Sequence, residues 1–170
     1  MLIIAKYFIW FVFYSMLGWF WETTLYFISK RKFIDKSFLK GPFCPVYGIG
    51  AVLLIILLGS VKNIFILFAA GALISIMVEY ISTYYLEVFF RHKEWDYSKR
   101  RFNLYGRVCL LGAFIFGLFA VLLVRLIHPV INFITGCIPP YLLMISAFIL
   151  LLVQIIDFYI TFTEFVKSKI

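Results

Sequence analysis

The sequence predicts an all-α fold, a polytopic integral membrane helix bundle of about five transmembrane helices, and three observations carry the prediction. Hydrophobic residues make up 65% of the 170 residues and charged residues only 14%, and mean hydropathy is +1.05, far above the range of soluble domains. The apolar residues fall into long runs close to the ~20 residues a helix needs to cross a bilayer. The few charges sit almost entirely between those runs. A chain of this length forms one domain, so residues 1–170 are expected to be a single transmembrane domain.

The first run, 4–28, is too long for a signal peptide and no small-residue cleavage site follows it, so it is expected to stay as a helix. The second, 43–61, is the least regular. Pro45, Gly48 and Gly50 interrupt its first turn, and it is expected to enter as an irregular or partly re-entrant segment, which lipid tolerates only where protein or water covers the backbone. Runs three and four, 64–89 and 104–127, are uninterrupted, with His128 expected at a helix end before Pro129. The fifth is 138–162.

Thirteen Lys and Arg lie on one side of these runs and three on the other. Lys30, Arg31, Lys32, Lys36 and Lys40 separate runs one and two. Arg91, Lys93, Lys99, Arg100, Arg101 and Arg107 separate three and four, and Lys167 and Lys169 end the chain. Lys6, Lys62 and Arg125 are the minority. The positive-inside rule then puts the N-terminus outside and the C-terminus in the cytoplasm. Topology and anionic inner-leaflet lipid account for the net charge of +8, so no nucleic-acid partner is expected. Cys44 and Cys109 fall on the reducing side and Cys137 on the other; all three read as small buried hydrophobes.

Both cytoplasmic loops carry D-x-S followed by L-x-G-x-x-C. Asp35, Ser37, Leu39, Gly41 and Cys44 stand against Asp96, Ser98, Leu104, Gly106 and Cys109. Each follows a run with an embedded glutamate, Glu22 or Glu79. A parallel two-helix repeat accounts for the pattern and would relate the copies by an axis along the membrane normal. Gly41 and Gly106 would let each loop turn tightly into the next helix.

Acids inside a membrane are expensive and avoid lipid. Glu22, Glu79 and Asp157 lie two to three turns from the cytoplasmic ends of their runs and form the candidate intramembrane polar site, suited to a cation or to proton passage. The bland role is a neutral carboxyl hydrogen-bonded to a neighbouring helix. Glu87, shallower, matches the depth of Arg107 and is expected to pair with it as a structural clasp. In the loops, Asp35, Ser37, Trp95, Asp96, Tyr97, Ser98 and Asn103 are the candidate cytoplasmic lid or docking surface. Trp95, Tyr97, Phe102 and Tyr105 suit the headgroup level; Asp96, Ser98 and Asn103 suit loop and cap hydrogen bonds.

No Walker A loop, G-x-S-x-G or H-E-x-x-H occurs, nor any CxxC or His/Cys cluster. No catalytic residue, cofactor or metal is therefore expected. Glu22, the run GPFCPVYG at 41–48, Glu79-Tyr80 and WDYS…NLYGRVC at 95–109 resemble the bacterial membrane family described as putative ABC-transporter type IV, or CmpB-like permeases. The resemblance covers roughly residues 15–120. It implies a multi-pass plasma-membrane permease component, with a separate ABC ATPase subunit and a homo-oligomer as further partners besides the bilayer. It implies no catalytic or binding residues. Five helices are few for an ABC permease, and no coupling helix can be named. The function expected is a transport component with an acidic site near the cytoplasmic face. The alternatives are an integral-membrane enzyme working on a lipid or isoprenoid headgroup, with Asp96 or Glu79 as base and Arg100, Arg101 or Arg107 on phosphate, and a non-catalytic sensor or assembly subunit.

Overall fold

A computed structural model describes residues 1–31, 39–91, 93 and 95–167. The chain divides into two compact units, Met1–Gly48 with Thr135–Ile170, and Ile49–Ile134.

The first unit is built on α1 (Leu2–Lys30) and α6 (Pro140–Lys167), which pack along each other. Val12, Leu39 and Phe43 form its core, with Phe8, Phe11 and Leu150 against them. Trp10 donates its indole N–H to Thr135 at 3.2 Å, satisfying two buried polar groups at once. The stretch 39–44 is not helical, yet Leu39, Phe43 and Cys44 are buried. Its backbone is answered by protein: Cys44 N–H donates to the Ser15 carbonyl, 3.0 Å away and midway along α1, and Gly41 N–H donates to Asp157 on α6. This is how irregular backbone survives at membrane depth. Pro45 then opens α2 (Pro45–Leu58), a position where its missing N–H costs nothing. Gly48 is required beside α1, since any Cβ there would overlap Ser15 Oγ and the Phe11 carbonyl.

At 14 residues, α2 is only about 21 Å long against a hydrocarbon core of about 30 Å. Among the described residues four helices are long and apolar enough to cross: Leu2–Ile28, Ile64–Phe90, Leu110–Cys137 and Pro140–Lys167. The irregular second segment is therefore part non-helical, at 39–44, and part helix, in α2.

The second unit centres on α3 (Ile64–Phe90) and α4 (Leu110–Leu122). Asn63 caps α3, its side chain accepting from the N–H groups of Phe65 and Ile66. Two glycines let α3 and α4 approach closely: Gly71 faces Ala120, and Gly117 faces the Phe68 ring, the small-residue packing that membranes favour. Leu54, Leu58, Leu67, Ala120 and Val124 make the core. Between the helices lies a two-stranded hairpin, β1 (Asn103–Leu104) and β2 (Val108–Cys109), with Asn103 opposite Cys109.

Two boundaries differ from the sequence reading. The fourth helix begins at Leu110, because the apolar residues from Leu104 belong to the hairpin. It also does not end at His128. A π-helical turn, Leu123–Ile127, carries it into α5 (His128–Cys137). Pro129 cannot donate to Arg125 and its ring crowds that carbonyl, so the turn widens and His128 N–H bonds Leu123. Arg125 is drawn to the turn before α3, where it donates to the Val61 carbonyl. Large apolar side chains, among them Leu73, Met77, Phe114, Leu118, Phe148 and Leu152, cover the outer faces. Only hydrocarbon solvates such a surface without penalty.

Candidate functional site

Each unit buries one acid inside a spanning helix, and each acid is held by its unit's motif loop. In the first unit Asp157, 8% exposed, accepts a hydrogen bond on Oδ1 from Gly41 N–H at 3.0 Å. Glycine is needed there for approach rather than for φ: a Cβ would stand 2.9 Å from both Asp157 Oδ2 and the Phe43 ring. In the second unit Glu79, 3% exposed, accepts from the Tyr97 hydroxyl at 2.9 Å. Asp157 lies about 15 Å and Glu79 about 16 Å from the C-terminal ends of their helices, counted at 1.5 Å per residue.

A threonine follows each acid by four residues, hence on the same helix face. Thr161 is 6% exposed and Thr83 fully buried, and the hydroxyls of both lack a hydrogen-bond partner in the structure. Asp157 Oδ2 and Gln154 Nε2 are likewise buried without a partner. The sequence reading named Asp157 and missed Gln154 and both threonines. The acid-x-x-x-Thr spacing, present twice, is the signal that could have found them.

Glu22 sits on α1 and takes the Tyr47 hydroxyl from the start of α2, with the Tyr47 ring against Gly18. Within the first unit, then, Glu22 and Asp157 use different donors, Tyr47 and Gly41. Glu79 belongs to the second unit.

Glu87 and Arg107 come together at 2.7 Å. Arg107 lies in the hairpin, not in a helix. It also donates to the Tyr80 hydroxyl at 3.3 Å and stacks over the Tyr80 and Tyr84 rings. Both partners of the pair are largely covered, which makes the clasp stronger than an exposed pair of the same length.

The rest of the second loop is organised by its own polar side chains. Asp96 accepts from Lys93 at 3.0 Å and from Ser98 N–H at 3.1 Å. The Lys93 hydrogen bond first, and the Ser98 amide next, hold its carboxyl down at about 2. Asn103 donates to the Arg100 carbonyl at 2.7 Å and accepts from Gly106 N–H at 2.9 Å. Gly106 has φ +70°, and Phe102 and Tyr105 are held at φ 52°, a region bulky residues rarely enter. Phe102 and Tyr105 are exposed, whereas Trp95 is buried and Tyr97 turns inward to Glu79. The four loop aromatics thus split, two facing the surroundings and two facing the helices.

Of the three cysteines, Cys44 and Cys109 are buried and Cys137 is exposed, which corrects the reading of Cys137 as a buried residue. Cys109 caps α4, accepting from Gly112 N–H. Asp35 and Ser37 lie outside the described residues, as does His92. Among the described residues no three His, Cys, Asp or Glu side chains group as metal ligands.

No curated protein and no solved structure matches the chain. Residues 9–162 match the family described as Putative ABC-transporter type IV, a span that runs from within α1 to within α6 and takes in both motif loops and all three embedded acids. The chain is a membrane-spanning member of that ABC-transporter-type family.

Proposed function

We propose that the chain is a permease-type transport subunit of a bacterial plasma membrane in which each motif loop governs a buried acid. It acts as one transmembrane domain, with its N-terminus outside and with the loops and C-terminus in the cytoplasm. One observation carries this reading: Gly41 and Tyr97, one from each D-x-S…L-x-G-x-x-C loop, donate to carboxylates buried inside spanning helices, Asp157 and Glu79. A loop tied to a buried acid can report or change the state of that acid from the cytoplasmic face. Structural loops have no need to reach so deep. Glu22, joined to Tyr47 at the start of the short α2, is the third acid of the set.

Because the chain lacks a Walker A loop, energy would come from a separate ATPase subunit, with the Lys- and Arg-rich loops as its docking face. A homo-oligomer would supply the further helices that a permease needs. The enzyme reading is weaker. Of its phosphate ligands Arg100, Arg101 and Arg107, the last is committed to Glu87 and Tyr80. Of its two bases, Glu79 is engaged by Tyr97 and Asp96 by Lys93 and Ser98 of its own loop.

Isolation of the full-length protein from its native membrane in mild detergent is expected to bring an ATPase with it. Right-side-out vesicles carrying the complex should take up at least one solute in an ATP-dependent way, scored by mass spectrometry against vesicles lacking the chain. Glu79→Gln and Asp157→Asn should each lower that flux at least ~10-fold, the loss of ~1.4 kcal/mol or more of coupling. Unchanged flux in both variants would reject the proposal, and copurification without any flux would favour the sensor or assembly reading.

A further inference from the structure

We infer that the first unit holds a binding site for a small alkali cation, of Na+ size, at Asp157 and Thr161. The inference rests on the transport reading for its purpose, but the site is argued from its own atoms. Gln154, Asp157 and Thr161 are spaced i, i+3, i+7 and so share one face of α6. Each presents a buried polar atom with no partner in the structure: Gln154 Nε2, Asp157 Oδ2 and Thr161 Oγ1. Asp157 and Thr161 are more than nine-tenths buried. Three orphaned polar atoms on one helix face are too many to ascribe to chance, since buried polar groups are almost always satisfied.

Charge and oxygen chemistry select the ligand. Asp157 Oδ1 is satisfied by Gly41, which leaves Oδ2 buried without a partner inside a spanning helix. Among the described residues of this unit, Lys40 pairs with Glu164 at 2.6 Å, Lys6 sits over the Trp10 ring and Glu22 takes the Tyr47 hydroxyl. A buried carboxylate without a counter-charge is costly, and a bound cation removes that cost.

One carboxylate with a neutral hydroxyl balances a single positive charge. Ca2+ asks for six or more oxygens with several carboxylates, and Mg2+ for a rigid octahedron; transition metals prefer nitrogen or sulfur donors. Turning the Gln154 amide by half a rotation replaces Nε2 with Oε1, which makes a third oxygen. The close approach of Gly41 to Oδ2 brings the non-helical stretch 39–44 to the site. Carbonyls of unwound backbone at membrane depth are the usual remaining ligands for Na+. The second unit repeats the spacing in Glu79 and Thr83, but there the Tyr97 hydroxyl reaches the acid from the loop.

The test uses the purified full-length protein in detergent, with unfolding followed by intrinsic fluorescence in NaCl, KCl and choline chloride at equal ionic strength. Na+ is expected to raise Tm saturably over choline, by roughly 5–11 °C at a hundredfold excess over Kd, and more than K+ does. Asp157→Asn and Thr161→Val should lose the response while Glu164→Gln keeps it. Should Asp157→Asn fail to fold, Thr161→Val and the broadening of the 23Na resonance by the native protein carry the test. Identical Tm in NaCl and choline, a larger shift in KCl, or a Na+ response that survives Thr161→Val would each overturn the site. A Na+ response with no flux in vesicles would sink the transport reading and leave the site standing; flux without a Na+ response would do the reverse.

Discussion

A single missing methyl group does much of the work at Asp157. Gly41 leaves room for its own N–H to reach Oδ1, and an alanine there would put its Cβ 2.9 Å from Oδ2 and from Phe43. Neither neighbour can retreat easily, because Phe43 is in the core and Asp157 is buried. Gly41→Ala is therefore expected to cost about 1–3 kcal/mol through overpacking, read as a lower Tm in detergent. Gly50, inside α2 with nothing within 4 Å of its would-be Cβ, provides the contrast. Gly50→Ala should leave Tm unchanged or raise it, since Gly is worse than Ala in a helix by about 1 kcal/mol. Equal losses at the two positions would remove the special role given to Gly41. The sequence marks Gly41 by its place in the loop motif. What it hides is the reason: the constraint comes from a residue 116 positions away, and no local pattern carries that information.

At the scale of elements, the association of α3 with α4 depends on Gly71 and Ala120. The two meet so closely that a Cβ on Gly71 would overlap the Ala120 methyl. The clash is between groups fixed to backbone, so the helices themselves must part. Gly71→Ala should lose ~1–3 kcal/mol, and adding Ala120→Gly should recover most of it, a coupling expected only of residues in contact. Additive losses in that double mutant, measured by denaturant titration in detergent, would count against the contact. The long helices were readable because apolar length alone specifies a span, hence the close match of the run 64–89 to Ile64–Phe90. The hairpin and the π turn were not. Leu104, Tyr105 and Val108 look like the start of a span, and Pro129 looks like its end, until the β1–β2 pairing and the His128–Leu123 bond are considered. Glu87 and Arg107 can be matched by depth alone, whereas the Tyr97–Glu79 bond needs a loop that folds back into the bundle.

For the molecule as a whole, the open variable is which way it faces, and a native probe for it is already in place. Four helices can cross the membrane, so the path of the short α2 decides the parity of everything after it. On the proposed topology α2, taken together with the buried stretch 39–44, makes one further crossing. The chain would then cross five times. On that topology, in which the thirteen basic residues against three mark the inside, the motif loops lie inside and the turn after α5 outside. Cys137 closes α5 and is exposed, while Cys44 and Cys109 are buried. A membrane-impermeant maleimide applied to intact cells is therefore expected to label the native chain once, at Cys137, and Cys137→Ser should abolish that labelling. Buried thiols react slowly for want of access, so Cys44 and Cys109 should be modified only after denaturation. If Cys137 were labelled only after the cells are opened, the loop that holds Glu79 would lie outside. A chain in which α2 is not a crossing would then keep the Gly41 loop inside, whereas an inverted five-span chain would carry both loops outside. Because α4 and α5 form one span between the Tyr97 loop and Cys137, the measurement fixes the side from which Tyr97 acts on Glu79, and with it the compartment whose solutes and partners that acid can answer to.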